Sequence, residues 1–397
     1  MITMTERGEE EPIGRGREDL PASTEPGSTR ALVALLAFVL GFAIVPHRVC
    51  ERGAADWFDG RPDVAEPLAR GVARWTETEL APGAFATGSA RFDGEWLLVT
   101  YAMGAVGLGQ LARIDPARRE AHLARMERCL DALLDPRARA FDGAAWSEDA
   151  LASAETHGHV GFLGYAALPL ALHRLVRGSS RFDEAEAGVV RRFGERILAS
   201  PAGLAETYPG EVYPVDNLAG LAALAVHARA SGEPPSPALE RGLRAIREHA
   251  IDPATGLLFQ SVAREGVAAR ASGTALAAFF LAYADPAIGR DLFRALEASQ
   301  FRTVLGFGAM LEYPAGRREA GDVDSGPVVL GFGVSASGFA LGASRAYGDR
   351  EAFTALYATA HLFGAPFDED GVRTYATGGP IGDAILLAML TAPREGP

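Results

Sequence analysis

The sequence alternates between two kinds of helical segment over most of its length. One kind is amphipathic and rich in Arg and Glu, as in PARREAHLARMERCLDALLD from Pro116, where apolar residues recur at i, i+3 and i+4 spacing. The other kind is apolar on nearly every side and rich in Gly and Ala, as in GFLGYAALPLAL from Gly161. The first pattern is typical of a helix with one face in water, and the second of a helix buried on all sides.

The apolar segments recur at regular intervals. They begin near residues 95, 157, 216, 272, 326 and 380, so the intervals run from 54 to 62 residues. One amphipathic segment precedes each of them. An irregular helical bundle would explain the helices but not the period. The repeat predicts an all-α fold, an (α/α)6 toroid of inner and outer helices over residues 57–393, with small β-hairpins on its rim from Asp252 and Phe367.

Composition excludes several kinds of chemistry. The chain of 397 residues has no lysine, which rules out Schiff-base catalysis, pyridoxal-phosphate enzymes and a Walker-type phosphate loop. A net charge of −13 argues against nucleic acid as a partner. The two cysteines, Cys50 and Cys129, form no disulfide framework and match no zinc spacing. We therefore predict no cofactor and no metal.

The amino-terminal region differs from the rest of the chain. Residues 1–30 are acidic, lack large apolar groups and are predicted to be disordered. The apolar stretch that follows, residues 31–46, predicts a single-pass anchor in a bacterial inner membrane. A cleaved signal peptide and a buried helix are the alternatives. Arginines flank the stretch evenly, so charge does not settle the orientation, and the periplasmic side is the side we favour for the toroid.

Polar residues mark the start of every predicted inner helix. In a toroid the inner helices run the same way, so their amino-terminal ends meet at one mouth. A ligand site is expected there, although each of these residues also suits a helix cap. The residues are Asp93, Glu95 and Trp96; His157 and His159; Asp216 and Asn217; Ser272 and Thr274; Asp322, Asp324 and Ser325; and Gly378, Gly379 and Asp383.

Two loops before inner helices resemble each other. ETYPGEVYPVDNLAG begins at Glu206 and contains Asn217, the only asparagine in the chain, and EYPAGRREAGDVDSGP begins at Glu312. Both have a Glu, a Tyr-Pro pair, a loop with Gly and an Asp at a helix start. They are either an echo of the repeat or two halves of one site. The corresponding residues are Glu206, Tyr208 and Asp216 in the first loop and Glu312, Tyr313 and Asp324 in the second.

These features together resemble the six-hairpin glycosidase superfamily of (α/α)6 enzymes, although no diagnostic motif assigns a subfamily. The resemblance implies a small-molecule or oligosaccharide substrate and a cleft with paired carboxylates and stacking aromatic rings. A glycoside hydrolase needs one carboxyl as acid and one as base or nucleophile, and opposite arms of a ring favour inversion. The predicted catalytic residues are Asp216, Asp324, Glu206 and Glu312, with Glu211 as a further candidate. The predicted substrate-binding residues are Asn217, Tyr208, Tyr213, Tyr313, His157, His159, Trp96 and Asp322.

Other functions stay open at this point. His157 and His159 could act as the acid–base pair of an epimerase, could bind a metal if they converged with a third ligand, or could be structural. A lyase or a terpenoid dehydratase-isomerase would use the same fold, but neither cysteine is placed for the second. A membrane-tethered binding ring without catalysis is the remaining alternative.

Overall fold

The structure is a computed structural model that describes residues 26–78, 80, 84–263, 267–317, 319–323 and 325–394. The chain divides into two compact units, Met1–Pro46 and His47–Pro397. The segment predicted to be disordered lies outside the described residues as far as residue 25. Its last part, residues 26–30, is helical.

Helix α1, Pro26–Cys50, contains the apolar amino-terminal stretch. By length and composition, the described part of the chain has two helical stretches able to cross a membrane, Thr29–Phe58 and Ala90–Ile114. None of the apolar window of the first is buried, whereas 83% of the second is. Side chains such as Phe38 and Phe42 are 70% and 73% exposed. Helix α1 is therefore compatible with a membrane anchor or a signal sequence, and the second stretch is a core helix.

After α2 (Ala54–Phe58), outer and inner helices alternate strictly through the described residues, and the predicted (α/α)6 toroid is confirmed. A short helix, α6 (Ala140–Trp146), interrupts one connection. The outer helices are α3 (Pro62–Glu77), α5 (Arg119–Leu134), α8 (Asp183–Ala199), α10 (Pro237–Ala245, continued by a π-helical turn), α12 (Pro286–Gln300) and α14 (Arg350–Gly364). The inner helices are α4 (Ala90–Ile114), α7 (Val160–Arg177), α9 (Pro214–Ser231), α11 (Ala271–Ala284), α13 (Val334–Ala346) and α15 (Gly379–Leu390).

The inner helices form a closed ring. Each packs against the next in chain order, and α15 packs against α4. Glycine allows two of these close approaches: a Cβ on Gly107 would lie 2.9 Å from the backbone nitrogen of Ala388, and one on Gly164 would lie 2.6 Å from the carbonyl oxygen of Asp216. Because any larger residue would push the helices apart, the Gly-rich composition of the inner segments follows from the packing.

Polar contacts show that the inner helices are parallel. Near the carboxyl-terminal ends of α4 and α11, the Gln110 amide donates to the hydroxyl of Tyr283. The hydroxyl of Thr391, just after α15, donates to Gln110 Oε1 at 2.6 Å. These carboxyl-terminal ends therefore meet inside the ring, and the amino-terminal ends meet on the opposite side.

Three antiparallel hairpins lie on the rim of the part of the chain that the structure describes. The predicted hairpin from Phe367 is confirmed, whereas the segment from Asp252 makes only isolated bridges, Ile251 with Leu258 and Phe259 with Ala269. The strands are β1 (Phe301–Val304) with β2 (Phe307–Met310), β3 (Val328–Val329) with β4 (Phe332–Gly333), and β5 (Pro366–Glu369) with β6 (Val372–Tyr375).

The fifth inner helix begins later than the sequence pattern predicts. The run from Val328 was expected to be helical, but it forms β3 and β4, and α13 begins only at Val334. The turn at Leu330 and Gly331 has φ angles of 54° and 89°, a left-handed conformation that ends any helix. The flanking Val and Phe residues favour strands, so local turn geometry prevails over the apolar pattern.

Candidate active site

A cavity of about 840 Å³ lies at the amino-terminal ends of the inner helices. Its wall includes residues from α4, α9, α11, α13 and α15, together with Tyr165 of α7. The parallel arrangement brings the free N–H groups and positive dipole ends of these helices towards the cavity. Such an environment stabilises carboxylates and other bound anions.

The polar residues at these helix starts do not act as caps. None of the six inner helices, all of which the structure describes, has a side-chain hydrogen bond at its N-cap. By contrast, the outer helices α10, α12 and α14 are capped by Ser236, Asp285 and Asp349. Capping was the ordinary explanation for polar residues at the starts of the inner helices. In the structure, side-chain caps occur at these three outer helices instead.

Two carboxylates from different inner helices, Glu95 and Asp216, bond to the hydroxyls of the adjacent residues Tyr208 and Thr207. Tyr208 donates its hydroxyl hydrogen to Glu95 Oε2 at 2.7 Å. Burial raises the pKa of Tyr208, and the charges of Glu95 and then Asp216 raise it further. Tyr208 is therefore protonated throughout the ordinary pH range, and its hydroxyl remains a hydrogen-bond donor to Glu95.

The loop before α9 carries this arrangement. Thr207 and Glu211 pair across a tight turn, in which the backbone nitrogen of Thr207 donates to the carbonyl of Glu211 at 2.8 Å. The Thr207 hydroxyl donates to Asp216 Oδ2 at 2.9 Å, and the hydroxyl of Tyr213 donates to Glu211 Oε2 at 2.8 Å. Asp216 is only 8% exposed, and it lines the cavity together with Tyr208, Glu211 and Tyr213 of the loop. The loop thus positions the carboxylates of Glu211 and Asp216 and the rings of Tyr208 and Tyr213.

Two arginines contribute positive charge to the wall. The guanidinium of Arg91 lies 4.9 Å from the ring centroid of Tyr208. Arg270 is buried and donates to Asp322 Oδ2 at 2.6 Å. Burial raises the pKa of Asp322, but hydrogen bonds from Ser325 and the charge of Arg270 outweigh it, so the net pKa is lowered. Asp322 is therefore an ionised partner of Arg270 and unsuited to act as an acid.

Two of the four predicted catalytic residues, Glu206 and Glu312, are described by the structure but do not line the cavity. Glu206 does not belong to the described lining, and its backbone carbonyl accepts a bond from Val160. Glu312 is wholly buried behind the wall, where Oε1 accepts from the Ser272 hydroxyl at 2.6 Å, and burial raises its pKa. Asp324 lies outside the described residues. Of the three predicted catalytic residues that the structure describes, Asp216 alone lines the cavity.

Asn217 has a different role from the predicted one, because its side chain is fully buried and is absent from the described lining. Its Oδ1 atom accepts from the backbone nitrogen of Ala205 at 2.9 Å, and Nδ2 donates to the carbonyls of Ala205 and Tyr213, each at 3.0 Å. The amide therefore fastens both ends of the loop that positions Asp216. Contact with a substrate hydroxyl is ruled out in this arrangement, since every polar atom of the side chain is used.

The two histidines and Tyr313 also lie away from the described lining. His157 is exposed and lies near Glu155, whereas His159 is fully buried and bonds to Asp142 Oδ2 at 2.6 Å. The histidines therefore do not converge on the cavity. Tyr313 donates to the backbone carbonyl of Ala320 at 3.2 Å. Among the described residues, no group of three or more His, Cys, Asp and Glu side chains could hold a metal ion.

The remaining predicted binding residues do line the cavity: Trp96, Tyr208, Tyr213 and Asp322. Glu95, which the sequence marked only as a helix start, joins Asp216 as the second central carboxylate. A usable signal was present in α4, because Arg91, Glu95, Val99 and Met103 recur every four residues and all line the cavity. That spacing places them on one helix face, with the charged pair at the amino-terminal end.

The fold is similar to that of a GH76 alpha-mannanase from Bacteroides thetaiotaomicron. The TM-score is 0.45 and the sequence identity 11%, over 76% of this chain and 84% of that chain. At this identity the likeness concerns the fold alone. No protein-family model matches the sequence, and no curated protein matches it.

Proposed function

We propose that this protein is a glycoside hydrolase whose catalytic carboxylates are Glu95 and Asp216. The supporting observation is that both acids, from inner helices α4 and α9, line one open cavity, where Glu95 accepts from Tyr208 and Asp216 accepts from the adjacent Thr207. Glycosidic cleavage needs two such carboxyl groups on either side of the scissile bond. Helix α7 separates α4 from α9 in the ring, which favours the wider spacing of an inverting enzyme.

Aromatic side chains near the two acids provide the surfaces that a sugar ring requires. Trp96, Tyr208 and Tyr213 line the same part of the cavity as Glu95 and Asp216. The apolar face of a pyranose ring packs on aromatic groups, while its hydroxyls need charged or polar partners such as Arg91 and Glu211. This part of the wall offers both.

Glycosidase activity is testable with a panel of aryl glycosides and oligosaccharides. We expect the full-length protein to release reducing sugar from at least one of them, and Glu95→Gln to lower the rate at least about a hundredfold, because the carboxylate no longer exchanges a proton. Asp63→Asn is the matched control, since Asp63 lies in the first turn of outer helix α3 with its side chain 88% exposed. Equal activity of Glu95→Gln and the control would refute this assignment of the site.

We also propose that α1 anchors the protein in a membrane. Its apolar side chains are exposed along Leu32–Val45, and burying them in lipid would remove a large apolar surface from water. The full chain is expected to stay in the membrane pellet after alkaline carbonate extraction of producing cells. A mature protein that begins after residue 46 and is found in the soluble fraction would indicate a signal sequence instead.

A second function is favoured by one specific observation. From Gly326 to Leu386 the lining carries no charged side chain, and every residue of that stretch is described. Such a wall also suits an acid–base enzyme that removes water from an apolar alcohol or isomerises it. That activity would yield an alkene or an isomeric alcohol and no reducing sugar. An epimerase based on His157 and His159 has no support, because neither side chain belongs to the described lining.

A further inference from the structure

The cavity has two chemically different halves. Its charged lining residues all precede Val323 in sequence, and the central ones are Glu95, Asp216 and Arg270. The lining residues from 326 to 386 come from β3, β4 and β6, from helices α13, α14 and α15 and from the adjoining loops, and this apolar half is uncharged throughout. Since α13 and α15 are neighbours in the ring, the apolar half is continuous in space.

Three hydroxyl groups of the apolar half donate to backbone carbonyls. Ser337 donates to the carbonyl of Gly333 at 2.8 Å, Thr359 to that of Ala355 at 3.2 Å, and Thr377 to that of Phe363 at 3.0 Å. A sugar bound against this wall would exchange water for few hydrogen bonds, which is unfavourable. An alkyl chain has no such requirement and gains from the burial.

Glycines hollow out the apolar half. Gly338 in α13 and Gly382 in α15 both line the cavity, and a Cβ added at either would meet no atom within 4 Å. A helical glycine is less stable than alanine, and at these two positions no neighbouring group requires it. The open space that they preserve is therefore the feature to be explained.

The apolar half continues to the protein surface. Leu330, Val334 and Phe363 line the cavity and are also 92%, 58% and 69% exposed. Leu330 occupies a turn position with a φ of 54°, which is unfavourable for a leucine. Exposed apolar side chains at the mouth of a cavity are available to contact an apolar ligand. A chain bound in the cavity can thus leave it along an apolar path.

We propose that the substrate is an amphiphile, a glycoside whose sugar head lies at Glu95 and Asp216 and whose apolar chain lies in the apolar half. The identity of the head group rests on the proposed function, whereas the apolar chain rests on the lining alone. In this arrangement, two carboxylates and two tyrosines contact the sugar head. The uncharged lining contacts the apolar chain, which occupies the open space beside the glycines. The substrate class is therefore a glycolipid or alkyl glycoside.

Binding of a homologous series tests this without any turnover. Full-length protein in lipid nanodiscs would be titrated with methyl, butyl, hexyl and octyl glucosides, mannosides and galactosides, and with the matching alkanols. Affinity would be taken from the ligand-dependent rise in Tm. We expect affinity for at least one sugar series to increase about fourfold for each added methylene, the ratio that burial of a methylene provides.

Gly338→Leu is the decisive variant, with Gly188→Leu as its control. Both glycines lie in helices with open space at the Cβ position, but Gly188 belongs to outer helix α8 and does not line the cavity. Gly338→Leu should keep or raise the Tm while removing the dependence on chain length. Gly188→Leu should retain that dependence. Because partition of the ligand into lipid is the same for both variants, it cannot explain a difference between them.

The outcomes separate this proposal from glycosidase activity. Three results would each contradict an amphiphilic substrate. They are an affinity that is independent of chain length, octyl glycosides that fail to bind, and alkanols that bind as tightly as glycosides. Dependence on chain length without release of sugar would retain the amphiphile and reject the hydrolase. Release of sugar without that dependence would do the reverse.

Discussion

Asp216→Asn is expected to lower kcat at least about a thousandfold, because the amide can neither take up nor release a proton in the reaction. The fold should tolerate the change. Asp216 accepts a hydrogen bond from Thr207 at 2.9 Å, and asparagine Oδ1 can accept the same bond. Kinetics on the substrate found in the glycoside panel, together with thermal unfolding, would measure both effects.

Thr207→Val is the control for the environment of Asp216. It removes the hydroxyl that donates to Asp216 but leaves the carboxylate in place. We expect a loss of about ten- to a hundredfold in kcat, since a hydrogen bond to a charged group contributes about 1.5–3 kcal/mol. If Asp216→Asn and Thr207→Val reduced kcat equally, Asp216 would be a structural residue of the loop and the proposed chemistry would fail.

The sequence predicts the toroid because burial shapes each helix separately. An inner helix touches protein on all sides and an outer helix on one, so the apolar pattern reports position in the ring. The wrong prediction of a helix where β3 and β4 lie has the same origin. The run from Val328 is apolar, but whether it is helix or strand is decided by the Leu330–Gly331 turn, which hydrophobic periodicity does not detect.

The candidate site is harder to predict than the fold. At a helix start, Asp, Asn and Ser look alike whether they cap the helix, fasten a loop or face a ligand. Asp216 faces the cavity, while Asn217 beside it fastens the loop. Adjacent residues in the first turn of a helix point about 100° apart, and only the ring geometry decides which one faces inward. Glu312 resembled a site residue for the same reason, because its loop matches that of Glu206.

The apolar half of the cavity left no recognisable sequence signal. Its residues come from six separate elements, β3, β4, α13, α14, β6 and α15, and each apolar side chain fits an ordinary core pattern. Gly338 and Gly382 also resembled the packing glycines of the other inner helices. Only the space around them distinguishes the two kinds. A Cβ added to Gly107 would meet α15, whereas a Cβ added to Gly338 or Gly382 would meet no atom within 4 Å.

Asn217→Asp is expected to lower the free energy of unfolding by about 3 kcal/mol or more, the cost of a buried charge facing groups of the same polarity. Asparagine Nδ2 donates to the carbonyls of Ala205 and Tyr213. A carboxylate would instead place an oxygen against each carbonyl, at a side chain with no exposed surface. Denaturant unfolding of the variant and of wild type would give the difference.

Activity measured per folded molecule then separates structure from substrate binding. Because the amide of Asn217 contacts only backbone, Asn217→Asp should keep the wild-type KM at temperatures where it is folded, with a lowered Tm. Asp216→Asn should do the opposite, with a retained Tm and a lost kcat. A variant at residue 217 with unchanged stability and a raised KM would instead show that its amide binds substrate, and the loop geometry would have to rearrange to allow it.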